Sequence, residues 1–470
     1  MRLLALSQIA RWCEARMIFP ADRAQEDTGI AAVRTDTRAL DNAVPTLYVA
    51  LRGERFDGHD FAAEAQARGA VALLVDRQLD VALPQLLCSD TTAALGELAA
   101  GVQQDRATKV IALTGSNGKT TVKTLLLDIL AEAGRAYANP GNRNNEIGLP
   151  LAVIDAPEDA DYAIYEMGAG KPGDIAYLTS IVRPQVALVN NVAPAHLERM
   201  GTLFGVAETK GAIYEALPAN GVAVINADDA FAPYFETRAA GRKLLRFGID
   251  ASAEVAAREI RGHTTGSDFV LHTPDGGAAI SLPLPGRHNV MNALAAAALA
   301  LAAGATLRAI REGLHRAQVV PGRQVPHLLG NGAVLIDDSY NANPGSVEAA
   351  IATLAAADGE GWLVLGDMAE LGEGSELLHA QVGDIARHKG IARMYTVGNF
   401  SRAASRAFGS AARHFESKDA LADALKHDLH HGVRVLVKGS RSMAMDTVVA
   451  ALLSADPHHP GRDHGAGHAA

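Results

Sequence analysis

Residues 113–123 read LTGSNGKTTVK, an apolar run that ends in a glycine-containing turn and then a lysine with two threonines. Such a turn can bind phosphate. Small residues let backbone N–H groups close on phosphate oxygens, and the following helix presents the positive end of its dipole. Lys119 would reach the β- and γ-phosphates of a nucleotide, and Thr120 would offer a hydroxyl to Mg2+. The common phosphate-loop pattern, G-x-x-x-x-G-K-[ST], wants glycine where this chain has Leu113. Gly115 and Gly118 instead form G-x-x-G-K-T-T, with Leu113 in the buried strand before it. A generic strand–turn–helix is the plainer alternative.

A bound nucleotide brings a metal, and Mg2+ takes oxygen ligands. Glu166 ends the apolar run DYAIYE, just before MGAG, and an acid there is costly unless paired or coordinating. His196 follows PQVALVNNVA in the segment PAHLE. Both fall at C-terminal strand ends, where α/β folds place ligands. Taken alone, Glu166 reads equally as a capping or ion-paired acid, and His196 as an ordinary loop histidine.

These residues need strands and helices to position them. KVIALTG, DYAIYEMGA, PQVALVNNVA and GVAVINADD are continuous apolar runs ending in polar turns, the pattern of parallel strands covered on both faces. Helical sequence alternates with them, which predicts an α/β fold. Upstream, TLYVAL and AVALLVD flank the helix-like HDFAAEAQARG. Downstream of the alanine-rich helix in GRHNVMNALAAAALALAAG, a second α/β series runs through AVLIDDSYN, GWLVLGDMAE, ARMYTVGNF and VRVLVKGSR. The expected units are residues 1–84, 85–320 and 321–456, with a disordered tail from Pro457.

Bulk properties agree. A chain of 470 residues suggests three domains at roughly 150 residues each. A net charge of −10 argues against nucleic acid as the main partner, because phosphate backbones demand basic surfaces. Two cysteines, Cys13 and Cys88, make neither a disulfide framework nor a cysteine-rich metal site. The N-terminus lacks a signal-peptide core, and no run approaches the ~20 apolar residues of a membrane span. A soluble, cytoplasmic protein is expected.

Taken in order, GSNGKTT, NPGNRNNEIGLP, YEMGA, NNVAPAHLE, ETKGAIYEALP, NADD, GRHNVMNALAA, PGRQ and DDSYNANP resemble the Mur ligase family, whose members build the peptide stem of peptidoglycan. GDMAELG and VKGSRSM resemble the type that adds D-alanyl-D-alanine, and the likeness runs from TDTRAL to VKGSRSM. The resemblance implies three α/β domains: a small N-terminal substrate domain, a central mononucleotide-binding domain of P-loop type and a C-terminal Rossmann-like domain. It implies that ATP phosphorylates the terminal carboxylate of UDP-N-acetylmuramoyl-tripeptide. The dipeptide amine then attacks the acyl phosphate, through a tetrahedral intermediate.

The resemblance also assigns residues. Gly115, Ser116, Asn117, Gly118, Lys119, Thr120 and Thr121 would hold the ATP phosphates, and His288, Asn289 and Asn292 the adenine. Arg323 and Asp338 would reach ATP from the third domain, with Asn343 and Pro344 shaping the same loop. Thr120, Glu166 and His196 would bind Mg2+, joined by Lys210 if CO2 converts its amine to a carbamate. Thr35, Asp36, Thr37 and Arg38 match the UDP segment, as does ALRGERFDGHDF. Asn144 and Asn145 would approach the muramoyl peptide or the γ-phosphate, and Lys438 or Arg441 the dipeptide carboxylate. A monomer is expected. A related ligase, a P-loop switch or motor NTPase, and a noncatalytic nucleotide-binding module are the competing readings.

Overall fold

A computed structural model describes residues 1–20, 28–53, 55–194, 196–263 and 265–456. The expected tail from Pro457 lies outside the described residues. Three larger sheets carry the chain in succession. The first has the spatial order Arg16–Ile18, Gln85–Leu87, Ala70–Val75, Thr46–Val49, Ala32–Arg34. Gln85–Leu87 pairs parallel to Ala70–Val75, so this sheet runs past residue 84, the boundary expected from the sequence. We propose to divide the chain after that strand.

The central sheet holds the phosphate loop. Its parallel part contains β1 (Lys109–Thr114), β2 (Tyr162–Glu166) and β3 (Val186–Val189), with β1 between the other two. From β1 the chain adds strands on the β2 side, then crosses to the β3 side. The C-terminal end of β1 is therefore a topological switch point, where open α/β sheets form a ligand crevice. Register sets Glu166 beside Leu113, and Val189 beside Thr114. The loop after β1, the end of β2 and the segment after β3 thus converge on one edge.

Helix α1 (Lys119–Ala131) follows the loop, α2 (Leu203–Glu215) follows β3, and α3 (Arg287–Ala302) is the alanine-rich helix. Leu125, Leu126, Ile129 and Leu130 of α1 join Ala293 to Ala300 of α3 and Ile111, Leu113 and Leu188 of the sheet in one core. Full burial of each Leu or Ile stabilises by about 1.5–3 kcal/mol, and the small alanines let α3 lie close. The strands read from the apolar runs pair parallel, and the far edge of this sheet differs. Val255–His263, Gly266–Thr273 and Gly276–Leu282 form an antiparallel meander. Exposed residues alternate with buried ones along the last two strands, because only one face is covered.

The third sheet contains β4 (Val334–Asp338), β5 (Glu360–Gly366) and β6 (Val433–Lys438), with β6 parallel to both and between them. Helix α4 (Pro344–Ala355) follows β4. Asn343 caps it in a reciprocal box with Ser346, and Pro344 suits the first helical turn. The loops after β4, β5 and β6 face the crevice of the central sheet, and a cavity of about 1720 Å3 lies between them.

Candidate active site

The phosphate loop is held rigidly from beneath. Asn117 N donates to Asn191 Oδ1 at 2.8 Å, and Ser116 Oγ donates to Ala193 O at 3.1 Å. Gly118 has φ +77°, and a Cβ there would lie 2.3 Å from Asn292 Oδ1, so only glycine fits between the loop and α3. Lys119 folds back, its Nζ donating to Gly115 O at 2.7 Å.

Glu166 is the centre of a donor cluster. Its Oε2 accepts from Thr120 Oγ1 at 3.0 Å and lies 3.2 Å from Lys123 Nζ. Its Oε1 accepts from Asn144 Nδ2 at 3.0 Å. Asn139 pins the strand end through Glu166 N to Asn139 Oδ1 at 2.9 Å and Asn139 Nδ2 to Glu166 O at 3.1 Å. Burial opposes ionisation of Glu166, but Lys123, Lys119, Asn144 and Thr120 together hold its carboxyl below the usual range. Burial also pushes the Lys119 amine down, with Glu166 opposing and Arg323 assisting. A buried carboxylate beside a threonine hydroxyl suits Mg2+, which takes one or two carboxylates together with substrate phosphates and water.

The other expected metal ligands have different surroundings. His196 has a left-handed backbone, φ +53°, and its Nδ1 lies 2.5 Å from Glu370 Oε2 of the third domain. Lys210 is 2% exposed and forms no ion pair among the described residues. Burial, helped by Lys119, lowers its amine to about 7, so much of it is neutral near pH 7. Among the described residues, no three His, Cys, Asp or Glu side chains cluster to hold a metal. Of the four expected ligands, Thr120 and Glu166 are joined by a hydrogen bond.

The third domain reaches across the cleft. Arg323 Nη2 donates to Thr120 Oγ1 at 2.9 Å, and Asn343 Nδ2 donates to Asn117 Oδ1 at 2.7 Å. Arg323 also lies over the Tyr340 ring, 4.4 Å from its centroid. Thr121, Asn145, His288, Asn289, Asn292 and Asp338 line the same cavity. The amides of Asn289 and Asn292 are engaged inside the protein, with Pro285 O, Asn190 and each other. Burial, with Lys438 nearby, lowers His288 to about 4, so its ring is neutral.

Lys438 lines the cavity but is buried, donating to Asp338 Oδ2 at 2.7 Å and Asn341 O at 2.9 Å. Arg441 has its side chain 66% exposed and lies 3.6 Å from Asp446 Oδ2. Thr35, Asp36, Thr37 and Arg38 are absent from the cavity wall. Asp36 pairs with Arg38, and Thr37 Oγ1 donates to Glu64 Oε1 at 3.1 Å.

Sequence reasoning missed Lys123, Asn139 and Glu370. Lys123 carried a signal, because it lies one helical turn after Lys119 and shares its face. Asn139 and Glu370 carried none, since their partners are distant in the chain.

A rigid phosphate loop facing an arginine across a cleft defines a nucleotide-using α/β enzyme. Residues 30–105, 113–300 and 315–441 match the models described as Mur ligase family, catalytic domain; Mur ligase middle domain; and Mur ligase, glutamate ligase domain. The chain is 49% identical over 429 residues to the UDP-N-acetylmuramoyl-tripeptide–D-alanyl-D-alanine ligase of Escherichia coli K12, spanning 91% of this chain and 94% of that one. The ligase of the same name from Bacillus subtilis 168 is 33% identical over 441 residues, spanning 91% and 94%. Among solved structures, MurF from Acinetobacter baumannii superposes with a TM-score of 0.91 at 33% identity, covering 96% of this chain and 99% of that one. MurF from Thermotoga maritima in complex with ADP gives 0.81 at 27% identity, covering 90% and 96%. The chain belongs to the Mur ligase family, and it is a ligase.

Proposed function

We propose that this ligase joins D-alanyl-D-alanine to the terminal carboxylate of UDP-N-acetylmuramoyl-tripeptide, converting ATP to ADP and phosphate. It acts as a monomer in the cytoplasmic stage of peptidoglycan synthesis. The observation that carries this reading is the meeting of Lys119, Thr120 and Glu166 at the switch point with Arg323 opposite.

The chemistry follows from charge. A carboxylate is a poor electrophile, and phosphorylation gives it a leaving group. Loop amides and Lys119 cradle the phosphates, and Arg323 adds positive charge from across the cleft, where it develops on the transferring group. Thr120 and Glu166 would hold Mg2+, which neutralises phosphate charge when bound. His196 would join them if Glu370 released it. The neutral amine of Lys210 can take up CO2 to become an anionic carbamate. Closure of the third domain brings Arg323 and Asn343 onto the loop and excludes water from the acyl phosphate. The reading is tested by mass: incubation with ATP and both substrates yields a product whose mass is their sum less water. Recovery of both substrates unchanged, with ATP consumed, contradicts it.

A further inference from the structure

Asn343 uses the two ends of its side-chain amide on two different domains. Its Oδ1 accepts from Ser346 N at 2.9 Å and so caps α4. Its Nδ2 crosses the cleft and donates to Asn117 Oδ1 at 2.7 Å. The cap decides which end faces the phosphate loop. With Oδ1 committed to the helix, Asn343 can offer the loop only a donor. The loop must answer with an acceptor, because an amide donates at one end and accepts at the other. Asn117 therefore turns its oxygen to α4 and its nitrogen away from Asn343.

Nothing else fixes that orientation. The other bonds of Asn117 are made by its backbone. Its N donates to Asn191 Oδ1 at 2.8 Å, and its O accepts from Asn190 Nδ2 at 2.9 Å and Asn191 Nδ2 at 3.1 Å. These hold the main chain but leave the terminal torsion, which is soft and roughly two-fold, to Asn343. Asn117 lines the cavity, and its Nδ2 donates to no partner among the described residues. Gly345, in the first turn of α4, keeps room beside that nitrogen. A Cβ there would lie 3.3 Å from Ala193 Cβ and 3.4 Å from Asn117 Nδ2. Its φ is not left-handed, so this glycine serves the close approach of α4 to the loop and not a turn.

We propose that Asn343 is a positioning residue for nucleotide binding: by engaging Asn117 Oδ1, it aims Asn117 Nδ2 at the phosphates, so that the third domain completes the donor set of the loop. This role rests on the proposed binding of ATP phosphates by that loop. With the domains apart, the Asn117 amide is free to present either end. Phosphate binding and closure therefore favour one another, each by the same factor.

The test measures ADP binding, with Mg2+, to the full-length protein by calorimetry. Asn343→Asp keeps the helix cap, since Asp caps as well as Asn, but offers the loop an acceptor. The Asn117 amide then reverses and spends its nitrogen on the new carboxylate. ADP affinity is expected to fall roughly tenfold to a hundredfold, the scale of one hydrogen bond to a charged group. Asn343→Ser also caps the helix but is uncharged and too short to cross the cleft. It is expected to weaken ADP roughly threefold, by leaving the amide undirected. Thermal unfolding of both variants stays near wild type, because the cap survives. In an Asn117→Ala background, Asn343→Ser is expected to cost nothing further, which a purely structural role would not produce. Unchanged ADP affinity in both Asn343 variants overturns the proposal. So does an undiminished loss from Asn343→Ser in the Asn117→Ala background, since Asn343 would then act by another route. Wild-type protein that binds no ADP refutes the nucleotide reading of the loop instead.

Discussion

Two buried lysine–carboxylate pairs stand at the C-terminal ends of parallel strands on opposite sides of the cleft. Asp338 and Lys438 are neighbours in register on β4 and β6, and Lys438 Nζ lies 2.7 Å from Asp338 Oδ2. Glu166 and Lys123 are 3.2 Å apart, but Thr120 and Asn144 also donate to the same carboxylate. The first pair is the more closed: of the lysine's three N–H donors one goes to Asp338 and another to a backbone oxygen. The second is open, with several donors around one acid, any of which a phosphate or a metal can displace. A closed pair holds a strand end in place, whereas an open one can be reassembled around a ligand. The contrast separates a buried acid held by one lysine from one held by several donors, although a charged residue ending an apolar run looks the same in either.

The comparison can be broken most severely at the open site. Lys119→Ala is expected to lower kcat roughly a thousandfold or more, as removal of a charge-stabilising group does, while UDP-peptide binding measured by calorimetry is retained. Loss of that binding would make the loop structural. Glu166→Gln should lower kcat by roughly a hundredfold or more and raise the Mg2+ concentration needed for half-maximal rate. An unchanged Mg2+ dependence would remove Glu166 from the metal site.

At the closed pair the effect should fall on stability. Asp338→Asn leaves Lys438 buried and unpaired, which costs about 3–5 kcal/mol. The double variant Asp338→Asn with Lys438→Met should recover much of this in denaturant unfolding, whereas additive losses would show that the two side chains act separately.

The smallest effect concerns pH. Glu166 titrates below its ordinary value of 4.5 in the folded protein, so its ionised form stabilises the fold above that pH. That contribution is lost as pH falls through the lower, folded value. Wild-type protein should therefore lose thermal stability more steeply than Glu166→Gln on acidification below about pH 4.5. Parallel curves would mean that the cluster does not favour the ionised acid.

Local pattern determined what was legible in the sequence. G-x-x-G-K-T-T is confined to one turn, and its strand and helix are long and apolar, so the loop could be located from its own residues. The apolar runs ending at Glu166, Val189, Asp338 and Lys438 likewise marked strands whose ends line the cleft. Gln85–Leu87 did not declare itself, because three residues carry no period. The antiparallel meander was missed because its strands are half exposed and polar, without the apolar runs that marked the parallel ones. The pairing of Lys438 with Asp338 was not legible because the two are 100 residues apart in the chain. The contact of Glu370 with His196 depends on how two domains face each other, which no local window records.

The central claim is that the phosphate loop serves to activate a carboxylate for an amine. Its most direct test is ADP release, measured with UDP-N-acetylmuramoyl-tripeptide and D-alanyl-D-alanine present together and with each omitted in turn. Sustained release only when both are present is the predicted result. Release that proceeds at the same rate without the peptide or the dipeptide would contradict it, and would leave an ATPase in place of a ligase.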